Sequence, residues 1–248
     1  MRKVYLLPNL VTTANLFCGF YSVIATIQGE FLSASYAILA AAFFDALDGR
    51  IARMARATSE FGVEYDSMSD LTSFGMAPAI LFYQWVLSPF DRLGWVVCFL
   101  YVTCAALRLA RFNVMTEIVP KSDFQGLPSP VAAGVLATLV IFRTEVTWPE
   151  SSLLGSWIPT FALILVLGIA ALMVSNVRFA SFKELNWRSR VGFQAILFGV
   201  GGLVSILVKH EVMLFVLSLS YVLFGLFAAL FRQLRTSTTR TQQDSERR

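Results

Sequence analysis

Runs of about 20 predominantly apolar residues, the length a helix needs to cross the hydrocarbon core, recur from Leu10 to Phe231 with short polar interruptions. Lipid offers no partner to a backbone amide or carbonyl, so each run must satisfy its own main chain, and a helix does that. The runs fall near residues 10–28, 31–56, 64–88, 94–113, 128–146, 157–177, 191–208 and 211–231. They predict an all-α integral membrane protein, a polytopic helical bundle of about eight transmembrane helices. Composition agrees: 56% hydrophobic and 15% charged residues, with a mean hydropathy of +0.66, lie outside the balance of a soluble domain. The fifth run is the least regular, because Pro128 and Pro130 crowd its start and Arg143 and Glu145 its end.

Eight spans put both termini on one side. All 20 Lys and Arg except Arg92, Arg143 and Lys209 then fall on that side, and the positive-inside rule makes it the cytoplasm. A multi-pass protein of the cell (inner) membrane is expected, with contact to anionic lipid headgroups rather than nucleic acid as the use of the +4 net charge. The start Met1-Arg2-Lys3 carries no cleavage pattern and reads as leading into a retained span. Cys18, Cys98 and Cys104 lie in apolar runs without metal-ligand spacing and read as small core residues. His210, in a short outer connection, reads as an exposed loop residue.

Against this background one stretch stands out, D-A-L-D-G-R-I-A-R from Asp45 followed by Asp66 and Asp70. A helix over 31–56 advances about 100° per residue, which puts Asp45, Asp48, Gly49 and Ala52 on one stripe. After a break near Thr58 to Phe61, where Gly62 is expected to take an unusual backbone angle, Asp66 and Asp70 sit four apart and share a face. Folding the second helix on the first gathers four carboxylates at the inner half of the bilayer, about 21 Å along the helix from Phe31 at about 1.5 Å per residue. Four acids at close quarters need cations. Oxygen ligands with room for phosphate select two Mg²⁺ or Mn²⁺ ions over one caged Ca²⁺, and intramembrane acids mark functional sites. Arg108 and Arg111, three apart in R-L-A-R-F-N, read as an anion site facing the acids.

The series Asp45-x-x-Asp48-Gly49-x-x-Ala52-Arg53, then Gly62, Asp66 and Asp70, resembles the full signature of the CDP-alcohol phosphatidyltransferases at every fixed position. That resemblance implies transfer of a phosphatidyl group from CDP-diacylglycerol, or of a phospho-alcohol from a CDP-alcohol, with CMP leaving. It implies that Asn9, Thr12 and Asn15, recurring at three-residue steps, border the cytidine pocket, that Asp70 is the base for the acceptor hydroxyl, and that the protein is a homodimer. Gly49, Ala52 and Gly62 belong to the CDP-diacylglycerol site on the same likeness; Arg53 can pair with phosphate, and Ser59, with Thr58, can donate to it. P-N-L-V-T-T-A-N-L-F-C-G-F, S-D-L-T-S-F-G-M-A-P-A, R-L-A-R-F-N and G-L-P-S-P further resemble the serine-using members of the family. Serine is thus the expected acceptor, held by Arg108 or Arg111, with glycerol 3-phosphate or inositol phosphate as the alternative. No Ser–His or Cys–His pair is visible, which favours direct displacement over a covalent intermediate. The rival class is a divalent-metal or anion transporter, but the second half carries no counterpart of the acid stretch. Residues 1–232 are expected to form a single transmembrane catalytic domain with its core at 8–177, and 233–248 a disordered polar cytoplasmic tail.

Overall fold

The computed structural model describes residues 6–55, 59–118, 126–145, 153–175, 177, 212–225 and 227, with main chain only at some helix ends such as 52–55. Among the described residues all regular structure is helical: α1 (Leu6–Ile27), α2 (Phe31–Ala55), α3 (Glu60–Asp70), α4 (Ala77–Phe82), α5 (Arg92–Ile118), α6 (Ser129–Glu145), α7 (Leu153–Val174) and α8 (Val212–Gly225). Among the described residues four stretches are long and apolar enough to cross a membrane, Pro8–Ile27, Phe31–Ile51, Arg92–Val114 and Trp157–Val174. The expected seventh span, His210 and the tail lie outside the described residues.

α1 and α2 join through a tight reversal. Gly29, at φ 81°, donates to the Thr26 carbonyl at 3.0 Å while Glu30 donates to the Ala25 carbonyl at 2.9 Å. This is the left-handed glycine stop that satisfies the last carbonyls of a helix, and it returns α2 along α1.

The third expected span starts earlier and is less regular than its apolar pattern suggests. One helical run extends from Glu60 to Phe90, interrupted by π-helical turns at Leu71–Met76 and Tyr83–Leu87 and ending in a 3₁₀ turn at Ser88–Phe90. Pro78 explains part of the irregularity. The α-helical donor for the Phe74 carbonyl would be the amide of residue 78, which proline lacks. The fully buried Tyr101 hydroxyl donates to that carbonyl instead, at 3.0 Å. The amide of Ala77 meanwhile donates to the Thr72 carbonyl, five residues back. Close by, a Cβ on Gly75 would lie 3.0 Å from Leu71 Cδ1 of the same helical run and 3.4 Å from the Cβ of Ala105 on α5, the latter an ordinary contact.

α6 matches the irregular fifth run and accounts for its composition. Ala132, Ala133, Val135, Leu136, Ala137, Leu139, Val140 and Ile141 are all buried, so the helix is covered on nearly every side. A helix enclosed in this way is apolar all round. At 17 residues it is shorter than the four long spans. α8 reaches it through the Thr138–Ser218 hydrogen bond at 2.8 Å and the stacked rings of Phe142 and Phe215.

Candidate active site

α3 starts at a capping serine. Ser59, extended at φ −127° and ψ 149°, accepts from the Gly62 amide at 3.0 Å, and Glu60 adds an acid to the first turn, where the helix dipole favours negative charge. Gly62 therefore departs from expectation: it lies inside α3 and is not among the glycines with positive φ. Its value is space. A Cβ there would sit 3.1 Å from Ser59 Oγ and 3.5 Å from Asn9 Oδ1.

With α3 started at this point, Asp66 comes opposite the α2 stripe, and one oxygen from each of Asp45, Asp48 and Asp66 lies within 4.8 Å of the others. Asp70, one turn further along, is outside that trio but lines the same cleft as Asp48 and Asp66. The cleft is bounded by Asn9 and Thr12 of α1, Gly49 of α2, Ser59 and Gly62 at the start of α3, and Leu109, Phe112 and Asn113 near the end of α5.

Helix α1 supplies polar partners to two of the acids. Thr12 Oγ1 lies 3.1 Å from the Pro8 carbonyl and 3.2 Å from Asp48 Oδ2. Asn15, fully buried, donates through Nδ2 to Asp70 Oδ1 at 3.0 Å. Asn9 and Thr12 thus face the cleft, whereas Asn15 stands behind Asp70 and is not a lining residue. Arg108 donates from Nη1 to Ser129 Oγ at 2.6 Å and lies close enough to Asp45 and Asp70 to interact with their charges. Neither Arg108 nor Arg111 lines the cleft itself. The side chains of Ala52 and Arg53, and the whole of Thr58, lie outside the described residues.

Two polar cleft residues, Ser67 and Asn113, escaped the sequence reading. Asn113 donates to Ser67 Oγ at 2.9 Å, joining α5 to α3 across the site. Both lie in ordinary polar positions of stretches already singled out, and only the packing of α5 against α3 distinguishes them.

The donor set suits a hard divalent cation. Asp66 Oδ1 is buried without a hydrogen-bond partner, a costly condition for a charged oxygen, and the surrounding ligating atoms are carboxylate oxygens rather than thiolate or imidazole. Carboxylate sets of this kind fit Mg²⁺, Ca²⁺ or Mn²⁺.

A family model described as CDP-alcohol phosphatidyltransferase matches residues 5–233. The chain belongs to this family. Among curated proteins it is 33% identical over 235 residues to the CDP-diacylglycerol--serine O-phosphatidyltransferase of Helicobacter pylori strain 26695, covering 95% of each chain. It is 31% identical over 178 residues to the protein of the same name from Bacillus subtilis strain 168, covering 72% of this chain and 92% of the relative. It is 35% identical over 175 residues to the archaetidylserine synthase of Methanothermobacter thermautotrophicus, covering 70% and 69%. Family membership makes the chain a membrane-bound transferase of phospholipid biosynthesis, and the acid cleft lies within the matched residues.

Proposed function

We propose that the protein transfers the phosphatidyl group of CDP-diacylglycerol to the hydroxyl of L-serine, releasing CMP and forming phosphatidylserine. The observation that carries this reading is the convergence of Asp45, Asp48 and Asp66 within 4.8 Å in a chain most of whose length matches relatives named for serine transfer. Asp45, Asp48, Asp66 and Asp70 would hold two divalent ions, Mg²⁺ or Mn²⁺, which supply neutralisation of the pyrophosphate charge when bound.

The remaining work falls to the chain. Asn9 and Thr12 on one wall, with Gly49, Ser59 and Gly62 on the other, bind the CDP-diacylglycerol headgroup, and the family resemblance adds Ala52 and Arg53 to that set. Asn15 occupies one oxygen of Asp70 and leaves the other to the cleft, where Asp70 takes the proton of the serine hydroxyl. The new bond forms between serine Oγ and the phosphorus of the phosphatidyl group as the bond from that phosphorus to the CMP oxygen breaks. Arg108, aimed by Ser129, offsets the serine carboxylate beside an acid-rich site, and Arg111 is the second candidate for that role. A panel of labelled alcohols offered to the purified protein with CDP-diacylglycerol and Mn²⁺ or Mg²⁺ tests the assignment. Serine is expected to be the acceptor incorporated, and incorporation of glycerol 3-phosphate or inositol phosphate in its place would move the chain to another branch of the family.

The same proposal covers architecture. Residues 1–232 form a single catalytic unit of eight spans working as a homodimer in the inner membrane, with both termini and the acid cleft cytoplasmic. The charge asymmetry that leaves Arg92, Arg143 and Lys209 alone on the outer side supports it. Reporter fusions at the two ends are expected to report the cytoplasm at both, and opposite sides would refute an even number of spans.

A further inference from the structure

Hydroxyl side chains inside a helix usually bond back to their own main chain, four residues earlier. Thr13, Thr26, Ser67 and Thr72 all do so here, at 2.7 to 3.0 Å. Ser69 and Ser73 do not. Ser69 Oγ donates across to the Thr12 carbonyl of α1 at 3.1 Å, and Ser73 Oγ donates to the Asn15 carbonyl at 3.0 Å. Both serines are fully buried.

The two residues they hold are the two whose side chains reach the acids: Thr12 to Asp48, and Asn15 to Asp70. Ser69 and Asp70 are neighbours on α3, and Ser73 lies in the π-helical turn that follows. Gly19, one turn beyond Asn15 on α1, has no room for a Cβ, which would run into the main chain and hydroxyl of Ser73. Gly19 and the two serines thus fix the register of α1 against α3. A slip of either helix along that seam would carry Asn15 away from Asp70 and Thr12 away from Asp48 together.

We propose that Ser69 and Ser73 are positioning residues for the transfer reaction, acting through the α1 main chain to fix Thr12 and Asn15, and through them Asp48 and Asp70. This rests on the reading of the acid cleft given above, though not on serine as the acceptor. Each hydroxyl serves one wall to place an oxygen on another, so its loss should disturb cation binding and turnover more than folding.

The test uses the full-length purified protein and the variants Ser69→Ala and Ser73→Ala, with Thr138→Ala as the comparison. Thr138 is buried, and its hydroxyl joins α6 to Ser218 far along the chain from the acids. Mn²⁺ binding is followed by electron paramagnetic resonance without substrate, and CMP release is followed with CDP-diacylglycerol and the accepted alcohol. Both serine variants are expected to bind Mn²⁺ severalfold more weakly and to lose about tenfold to a hundredfold in kcat, since misplacement of about 1 Å costs on that order. Their KM for CDP-diacylglycerol should rise as well, because Thr12 belongs to the headgroup wall, and Thr138→Ala should match wild type in Mn²⁺ binding and kcat per folded molecule. Ser69→Cys and Ser73→Cys, which keep the volume but weaken the donor, should shift in the same direction if an alanine variant fails to fold. Serine variants that melt lower yet bind Mn²⁺ and turn over like wild type would overturn the proposal. Because the Mn²⁺ measurement needs no acceptor, a wrong acceptor leaves its outcome intact.

Discussion

Asp48→Asn is expected to lower transfer by about a thousandfold or more, with Asp45→Asn and Asp66→Asn close behind, while each variant becomes more heat-stable in the presence of a chelator. The two effects have one cause. Three carboxylates whose oxygens lie within 4.8 Å repel one another when no cation is bound, so removing one charge relieves the folded protein. On the proposed reading the same charge would hold a divalent ion, which when bound would supply several kcal/mol of stabilisation to developing negative charge, and about 1.4 kcal/mol is tenfold in rate. Asp48 should be most sensitive because it is buried and receives Thr12. Raising the Mn²⁺ concentration should recover part of the loss. Activity assays beside thermal melts in EDTA check both signs, and a variant that loses activity and stability together would speak for a folding role.

The second large effect is expected at Arg108. An amino-acid acceptor brings a carboxylate toward acids and phosphates, and the guanidinium already lies within electrostatic reach of Asp45 and Asp70. Its 2.6 Å bond to Ser129 holds one nitrogen and leaves others for the planar, two-point grip on a carboxylate that lysine cannot reproduce. Arg108→Lys is therefore expected to raise KM for serine about tenfold to a hundredfold, the equivalent of about 1.5–3 kcal/mol for a charge-assisted bond. KM for CDP-diacylglycerol should stay nearly unchanged. Ser129→Ala should move the serine constant the same way by less, since it only aims the side chain. A shift confined to the CDP-diacylglycerol constant would assign Arg108 to lipid phosphate, and Arg111→Lys in the same assay decides which arginine carries serine.

The acid cleft was legible in the sequence because helical periodicity does the placing: residues three and four apart share a face whatever the tertiary packing. That logic paired Asp45 with Asp48 and Asp66 with Asp70, and folding one helix on the other was the further step that joined the pairs; Asn9 and Thr12 were placed at the pocket by the family resemblance. It missed the role of Gly62, because a glycine wanted for space and one wanted for a positive φ look alike in a sequence. It also missed the π-helical turns after Asp70, whose cause includes a proline several residues downstream and a tyrosine on another helix. Ser69 and Ser73 were hidden in the same way. Whether a helical hydroxyl bonds inward to its own turn or outward to a neighbour depends on where that neighbour's carbonyls fall, and Gly19 sets this by admitting Ser73. The span count was harder still, because α6 is too short and too enclosed to look like a long lipid-facing helix although its apolar residues are plain.

The most direct measurement follows CMP and phosphatidylserine in one reaction of the full-length protein with CDP-diacylglycerol, labelled serine and Mn²⁺. The two products are expected to appear in equal amounts, to stop on chelation, and to be absent in Asp66→Asn at ordinary Mn²⁺ concentration. CMP released without serine incorporation, or phosphatidylserine formed at the wild-type rate by Asp66→Asn, would contradict transfer to serine at the acid cleft.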